Sequence, residues 1–201
     1  MKRKLILASA SPRRKEILEM MGLDFSVCPA VGEEILTTSD PEEAVLSLAL
    51  QKARETAERQ KEPSLVIGAD TVVAYKGQIL GKPEDEKDAI RMLRELSGES
   101  HMVYTGVAVV DTVSGRIAAH FAEETKVSMY PMDEAWIQSY AASGEPMDKA
   151  GAYAIQGGAM PWIRGIEGEY LNVVGFPAAR FYQEMRKAGV DLLKPEEEER
   201  L

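Results

Sequence analysis

The sequence predicts a mixed α/β domain, and three observations lead to that prediction. Short apolar runs rich in β-branched residues alternate with segments whose apolar residues recur at helical spacing. Hydrophobic residues make up 45% of the 201 positions, which is ample for a globular core. No internal repeat or low-complexity linker interrupts the chain. We therefore expect one domain over residues 1–190, followed by an acidic tail over 191–201.

Local signals mark where the individual elements begin and end. Ser11 is a favourable N-cap and Pro12 suits the first helical position, and Asp40 begins a longer helix in the same way. Gly98 marks a helix end, and Ser114 with the glycine after it marks a hairpin. In chain order we predict a strand at 5–8, a helix from 12, a strand at 25–29, a helix at 41–59, a strand at 65–75, a helix at 85–98, strands at 101–113 and 115–130, a helix at 133–143, short strands at 162–166 and 170–175, and a helix at 176–189.

Composition excludes several classes of protein. No apolar run approaches the 18 residues of a transmembrane helix, and the run at residues 5–8 is too short for a signal peptide. The net charge of −9 disfavours nonspecific binding to nucleic acid or to anionic membranes, although an anionic small ligand remains compatible. Cys28 is the only cysteine, which excludes an internal disulfide and fits a reducing cytoplasm.

Two arginines stand in the first turn of the first predicted helix, where packing alone would not place them. Each of Arg13 and Arg14 opposes the helix dipole, at about 0.3–1 kcal/mol. Arg14 also takes the capping-box position, three residues after Ser11, where glutamate is usual. Because a helix N-terminus offers free N–H groups as well, this stretch predicts a bound phosphate.

Three further charged residues occupy unexpected positions. Lys52 continues the apolar stripe that includes Val45 and Leu48, so its ammonium group either extends to solvent at an edge or points into a cleft. Asp70 interrupts the apolar strand at 65–75, and it either faces a cation or a cleft, or caps the amides of a turn. Lys82 lies in a Gly-Lys-Pro turn, where a lysine is usually just exposed.

Carboxylates complete a candidate metal-assisted site. Glu33 and Glu34 follow the second strand, and with Asp70 they offer hard oxygen ligands for Mg²⁺. Combined with the arginines and lysines, they indicate chemistry on a polyphosphate. No Walker-type P-loop is present. His101 and His120 are too few and too far apart to indicate zinc or a nucleophile, so we interpret both as structural.

Six segments, in order, resemble the Maf family of nucleoside triphosphate pyrophosphatases. They are LASASPRRKEIL, QKA, GADTVV, LGKPED, LSGESHMVYTGVAV and EPMDKAGAYAIQG, and with VGFP they span residues 7–177. The resemblance implies a long twisted mixed sheet, with two lobes around a cleft, as in inosine triphosphate pyrophosphatases. It also implies hydrolysis between the α- and β-phosphates with Mg²⁺ or Mn²⁺, a homodimer, and a role in nucleotide house-cleaning. The family was first discussed in connection with septum formation.

The resemblance also assigns roles to residues at matching positions. Asp70 resembles the general base that activates water, and Glu34 with Asp70 would hold the metal. Glu33 remains an alternative metal ligand, because this loop contains fewer acidic residues than is usual in the family. The phosphate-binding residues that match the family are Ser9, Arg13, Arg14, Lys52 and Lys82.

Two branches of the family differ in the nucleobase that they prefer. Arg13, Thr71 and Gln156 resemble the dTTP/UTP branch, and the glutamine amide can both donate to and accept from the edge of uracil or thymine. Ala154, where glycine is usual, slightly crowds this pocket. The alternatives are a 7-methyl-GTP pyrophosphatase and a non-catalytic nucleotide-binding regulator of cell division.

Overall fold

A seven-stranded mixed sheet forms the centre of the computed structural model, which describes residues 3–35 and 38–193. The strand order is β2-β1-β3-β5-β6-β7, and β4 also pairs with β3. β1 is parallel to β2 and β3, whereas the other pairings are antiparallel. The strands are β1 (Lys4–Leu7), β2 (Phe25–Val27), β3 (Ser64–Tyr75), β4 (Gln78–Leu80), β5 (Ser100–Asp111), β6 (Ile117–Met129) and β7 (Ile163–Glu167). The predicted mixed α/β class is confirmed.

The helices begin and end close to the predicted signals. Ser11, Asp40 and Asp133 are N-caps, and Gly98 adopts a φ of +77° just after a helix end. The helices are α1 (Pro12–Met20), α2 (Pro41–Glu58), α3 (Glu86–Leu96), α4 (Glu134–Ala142), α5 (Tyr170–Val174) and α6 (Ala178–Lys187), with short 3-10 turns at Glu145–Asp148, Ala150–Ala152 and Met160–Trp162.

The predicted strand at 170–175 is wrong, because this segment forms α5. Its β-branched valines indicate a strand, but the fully buried Asn172 side chain decides the local structure. Asn172 Nδ2 donates to the Val103 carbonyl at 3.1 Å and to Thr125 Oγ1 at 3.0 Å. These contacts with β5 and β6 hold the segment against the sheet as a short helix.

The two faces of β3 and β5 pack against different helices. Odd-numbered residues such as Ile67 and Val107 join the main core, to which α1, α3, α4 and α6 contribute. Even-numbered residues of the two strands face α2. There Ala108 of β5 packs against Ala49 and Ala53 of α2, all with small side chains. Asp70 therefore lies on the α2 side of the sheet and Thr71 on the opposite side.

Two glycines allow α2 to contact the sheet at backbone distance. A Cβ atom at Gly68 would lie 2.1 Å from the Ala49 carbonyl oxygen, and one at Gly106 would lie 2.3 Å from the Val45 carbonyl oxygen. Gly106 is also the register partner of Asp70. Since Lys52 follows Ala49 by one turn, the close contact of α2 brings its side chain to Asp70.

The pairing along the edge of β3 opposite β5 is interrupted at one place, and we call this interruption the gap in the sheet. β1 pairs with Ser64–Ile67 and β4 with Val73–Tyr75, both on the edge opposite β5. Between them, residues 68–72 have no strand neighbour on that edge in the part of the chain that the structure describes. A ligand in this gap can reach Asp70 on one face and Thr71 on the other.

Most of the predicted acidic tail, from residue 194 onward, lies outside the described residues. Across residues 3–35 and 38–193, none of the helices combines the length and apolar character that crossing a membrane requires.

Candidate active site

A cavity of about 620 Å³ occupies the gap in the sheet. It is bounded by the end of β1, the start of α1, the middle of α2 and β3, and the turns on either side of residue 150. All nine residues assigned to the site from the sequence line it: Ser9, Arg13, Arg14, Glu34, Lys52, Asp70, Thr71, Lys82 and Gln156. Residues far apart in the chain are thus brought together as expected.

Asp70, Lys52 and Glu34 form an ion-paired group on the α2 side. Lys52 Nζ lies 2.6 Å from Asp70 Oδ1 and 2.9 Å from Glu34 Oε1. Both Lys52 and Asp70 are nearly buried, with side-chain exposures of 13% and 12%. Lys52 therefore points into the cleft rather than along its edge, and Asp70 faces a cation from the middle of a strand rather than capping a turn.

The two acidic-loop residues have different surroundings. Partial burial would raise the pKa of the Glu34 carboxyl, but the hydrogen bond and charge of Lys52, with Lys82 and Arg14, outweigh it and lower that pKa. Glu33 does not line the cavity, and its main-chain carbonyl accepts from Gln51 Nε2 at 2.6 Å. Of the two, Glu34 is therefore the residue placed to act with Asp70.

Arg14 is held on the opposite side of β3 by three hydrogen bonds. Its guanidinium donates to Ser9 Oγ at 3.1 Å, Thr71 Oγ1 at 3.0 Å and the Gly175 carbonyl at 2.9 Å. Burial lowers the pKa of Arg14 from its ordinary value, and Asp70 partly offsets that effect. An arginine nevertheless stays protonated in proteins, so the site keeps this positive charge.

The hydroxyl groups of Thr71 and Thr105 form a hydrogen-bond chain behind Arg14, and the donor of each bond in it can be assigned. Thr105 Oγ1 donates to the Asn172 carbonyl at 3.0 Å, so its single proton is used there. The 2.9 Å contact between Thr71 and Thr105 is consequently donated by Thr71, whose oxygen accepts from Arg14. The Thr71 hydroxyl proton is thus committed, and any effect of Thr71 on nucleotide choice acts through Arg14 or through its methyl group.

Arg13, Lys82 and Gln156 stand around the mouth of the cavity. Arg13 Nη1 lies 3.1 Å from Asp148 Oδ2, across the opening from α1. Lys82 and Gln156 are exposed on turns and face the same space. The N-terminus of α1 thus lies in a cavity lined by five cationic side chains, of which Lys149 is the fifth, and by the carboxylates of Glu34, Asp70 and Asp148.

Comparisons with known proteins show which family the chain belongs to. A family model described as Maf-like protein matches residues 4–188. The chain belongs to the Maf family. Among curated Maf relatives, the dTTP/UTP pyrophosphatase of Agathobacter rectalis is 56% identical over 202 residues, covering 94% of this chain and 98% of the relative. The dTTP/UTP pyrophosphatase of Lachnoclostridium phytofermentans is 48% identical over 192 residues, with the same coverage of both chains.

Similarity of this Maf chain to solved structures is weaker. A nucleoside-triphosphatase, or dITP/XTP pyrophosphatase, of Mycobacterium abscessus aligns with a TM-score of 0.40 and 16% identity, covering 63% of this chain and 74% of that one. A HAM1 protein of Coxiella burnetii aligns with a TM-score of 0.43 and 17% identity, covering 64% and 73%.

Two charged residues that line the Maf cavity, Asp148 and Lys149, were not predicted from the sequence. Asp148 accepts from Arg13 and also pairs with the adjacent Lys149, which lines the cavity. Burial would raise the pKa of Asp148, but these two cations outweigh it and lower that pKa. In the sequence, the only indication of their role is that Asp148 and Lys149 are adjacent charged residues in an irregular, glycine-containing segment. Such a segment is usually a solvated turn.

His101 supports the cavity wall from behind. Its side chain is buried, and Nε2 lies 2.8 Å from the hydroxyl of Tyr153, which lines the cavity. Burial lowers the pKa of His101 from 6.5 to about 4. His120, by contrast, is exposed and contacts the Leu46 carbonyl at 3.1 Å. Neither ring lines the cavity, so the structural interpretation of both histidines agrees with their positions.

We expect His101 to make stability depend on pH in acid. Its contribution to the unfolding free energy is fully present above pH 6.5, because the imidazole is then neutral in both the folded and the unfolded chain. As the pH falls from 6.5 to about 4, the unfolded chain binds a proton that the folded chain does not, which lowers the unfolding free energy by about 3 kcal/mol. Urea unfolding of the wild type and His101→Gln across this range measures the effect. A difference between the two proteins that is constant with pH would contradict it, and His120→Gln is the control for losing a histidine.

Proposed function

We propose that this Maf protein hydrolyses dTTP and UTP to the monophosphate and pyrophosphate, as a cytoplasmic enzyme of nucleotide house-cleaning. The observation that carries the proposal is the cavity in which the Asp70–Lys52–Glu34 group faces Arg14 and the N-terminus of α1. The names of the curated relatives support the reaction and the nucleotides.

The triphosphate would bind between α1 and the lysines. The first turn of α1 offers the main-chain N–H groups of Arg13 and Arg14, and their side chains extend the same positive region. Lys52 and Lys82 add two point charges on the other side of the cavity. An arginine about 4 Å from a phosphate interacts by about 4 kcal/mol at a protein-like dielectric, so these local groups outweigh the net charge of the chain.

Asp70 would act as the general base. Its Oδ1 accepts the hydrogen bond of Lys52, which leaves Oδ2 to accept a proton from water. The cations around the phosphates would stabilise the negative charge that develops as the phosphoanhydride breaks. Lys52 thus contacts the base and faces the phosphate region at once.

Glu34 and Asp70 fit a divalent cation of the Mg²⁺ or Mn²⁺ type. Mg²⁺ usually takes one or two protein carboxylates and completes its shell with water and phosphate oxygens. Within residues 3–35 and 38–193 there is no cluster of three or more histidine, cysteine or acidic ligands, so the substrate would supply the remaining oxygens. When bound, the cation would neutralise phosphate charge and polarise the phosphoryl oxygens.

Gln156 would read the nucleobase. Uracil and thymine present a carbonyl acceptor beside an N–H donor, and a glutamine amide provides the matching donor and acceptor. The side chain is exposed on a turn and lines the cavity, as does Tyr153 three residues before it. This arrangement favours the pyrimidine triphosphates over 7-methyl-GTP.

The proposal is tested by a substrate panel. The purified protein would be incubated with Mg²⁺ and UTP, dTTP, CTP, GTP or 7-methyl-GTP, and the products identified. UMP or dTMP with pyrophosphate is the expected result, and a chelator should abolish it. Preference for 7-methyl-GTP would contradict the role of Gln156, whereas tight binding without turnover would favour a nucleotide-binding regulator.

A further inference from the structure

We propose that Glu145 and Tyr140 are positioning residues that hold the turn carrying Gln156, and that they thereby set the choice between uracil and cytosine. This inference rests on the proposed function and adds two residues to which the sequence analysis gave no role. Both lie on the polypeptide just before the cavity wall, Tyr140 in α4 and Glu145 in the 3-10 turn after it.

Hydrogen bonds anchor the turn on both sides of Gln156. Two residues before it, the Ala154 N–H donates to Tyr140 Oη at 3.0 Å. Two residues after it, the Gly158 N–H lies 3.2 Å from each carboxylate oxygen of Glu145. The backbone on which Gln156 stands is therefore fixed by side chains from a neighbouring element rather than by a strand.

The two glycines after Gln156 show how closely these side chains contact the turn. A Cβ atom at Gly157 would lie 1.6 Å from Glu145 Oε1, and one at Gly158 would lie 2.8 Å from the Tyr140 ring. Neither glycine has a positive φ, so backbone conformation does not require them. Their absence of a side chain is explained by the space that Glu145 and Tyr140 occupy.

Tyr140 is itself held rigidly. Its side chain is buried, and its ring stacks on Trp136 with centroids 4.7 Å apart and an interplanar angle of 14°. Burial raises the pKa of Tyr140 to about 12, so the hydroxyl stays neutral at physiological pH. The anchor of Ala154 is thus a packed ring rather than a flexible surface group.

The position of this turn decides whether the Gln156 amide can discriminate between bases. Uracil and cytosine differ in which atoms at one edge donate and which accept, and their sizes are nearly equal. Discrimination therefore depends on hydrogen-bond distance and direction, which tolerate a displacement of only about 0.5 Å. If the turn lost its hydrogen bonds to Glu145, the Gln156 amide could hydrogen-bond to uracil or to cytosine.

The test compares kcat/KM for UTP and CTP in the wild type and in Glu145→Ala. We expect the UTP to CTP ratio to fall about tenfold, because a charged hydrogen-bond acceptor of the turn is lost. Glu145→Gln keeps an acceptor for Gly158 and should restore most of the ratio, while Tyr140→Phe should lower it. Glu134→Ala, an exposed α4 variant whose side chain pairs with Arg94, is the matched control and should leave the ratio unchanged.

A double-mutant cycle separates positioning from general destabilisation. In a Gln156→Ala background, Glu145→Ala should change the UTP to CTP ratio no further, because the side chain being positioned is gone. An equal loss for both nucleotides, or a change in ratio that persists without Gln156, would overturn the inference. A wild type that does not hydrolyse UTP would refute the proposed function itself, and the inference with it.

Discussion

Asp70→Asn should reduce turnover of UTP by about 100- to 10,000-fold, the range that general-base catalysis contributes. Asparagine has nearly the same shape and still offers Lys52 an oxygen acceptor, but it cannot take a proton from water. Binding of the triphosphate should persist, because Arg14 and Lys82 are unchanged. The rate is measured by pyrophosphate release, and binding by calorimetry with a non-hydrolysable UTP analogue.

Asp111→Asn is the matched control for this substitution. Asp111 ends β5 away from the cavity, where its carboxylate accepts from Val113 N and Ser114 Oγ in the hairpin turn. Its replacement should lower stability slightly and leave turnover unchanged. Full turnover in the Asp70→Asn protein would show that another group activates the water.

Gly68→Ala should lower both stability and turnover. The new Cβ atom would lie 2.1 Å from the Ala49 carbonyl oxygen, so α2 must move away from the sheet. Overpacking of this kind lowers the unfolding free energy by about 1–3 kcal/mol. Since Lys52 lies one turn further along α2, a shift of about 1 Å would also reduce turnover by about 100-fold. Denaturant unfolding and kcat/KM for UTP measure the two effects.

Gly106→Ala should behave in the same way, because its Cβ atom would lie 2.3 Å from the Val45 carbonyl oxygen. Gly165→Ala in β7 is the control, since a Cβ atom there meets nothing within 4 Å. If Gly68→Ala is as stable and active as Gly165→Ala, then α2 does not contact the sheet as closely as the structure describes.

Local chemistry explains which parts of the fold could be predicted from the sequence. The starts of α1 and α2 and the hairpin after β5 depend on residues within a few positions of one another, such as Asp40 accepting from Glu43 N. The candidate site could be predicted for a different reason. Lys52 and Asp70 are each at odds with the apolar pattern around them, and the structure brings their charged groups within 2.6 Å.

Features that depend on distant partners were not predictable in this way. The valines of α5 indicate a strand, and only the burial of Asn172 against β5 and β6 makes a helix there. Gly68 lies within β3, where its lack of a side chain allows the close approach of α2, a partner that the local sequence does not indicate. Asp148 contacts Arg13 across 135 positions, and no local pattern distinguishes it from a solvated turn residue.

The hydrogen-bond chain behind Arg14 has a consequence for how tightly a phosphate is bound. Fixing an arginine side chain removes about 2 kcal/mol of rotamer entropy. Ser9, Thr71 and the Gly175 carbonyl already fix Arg14, and Thr105 fixes Thr71 in turn. That entropy is therefore lost during folding, so Arg14 is preorganised and little ordering of this side chain opposes the arrival of the nucleotide.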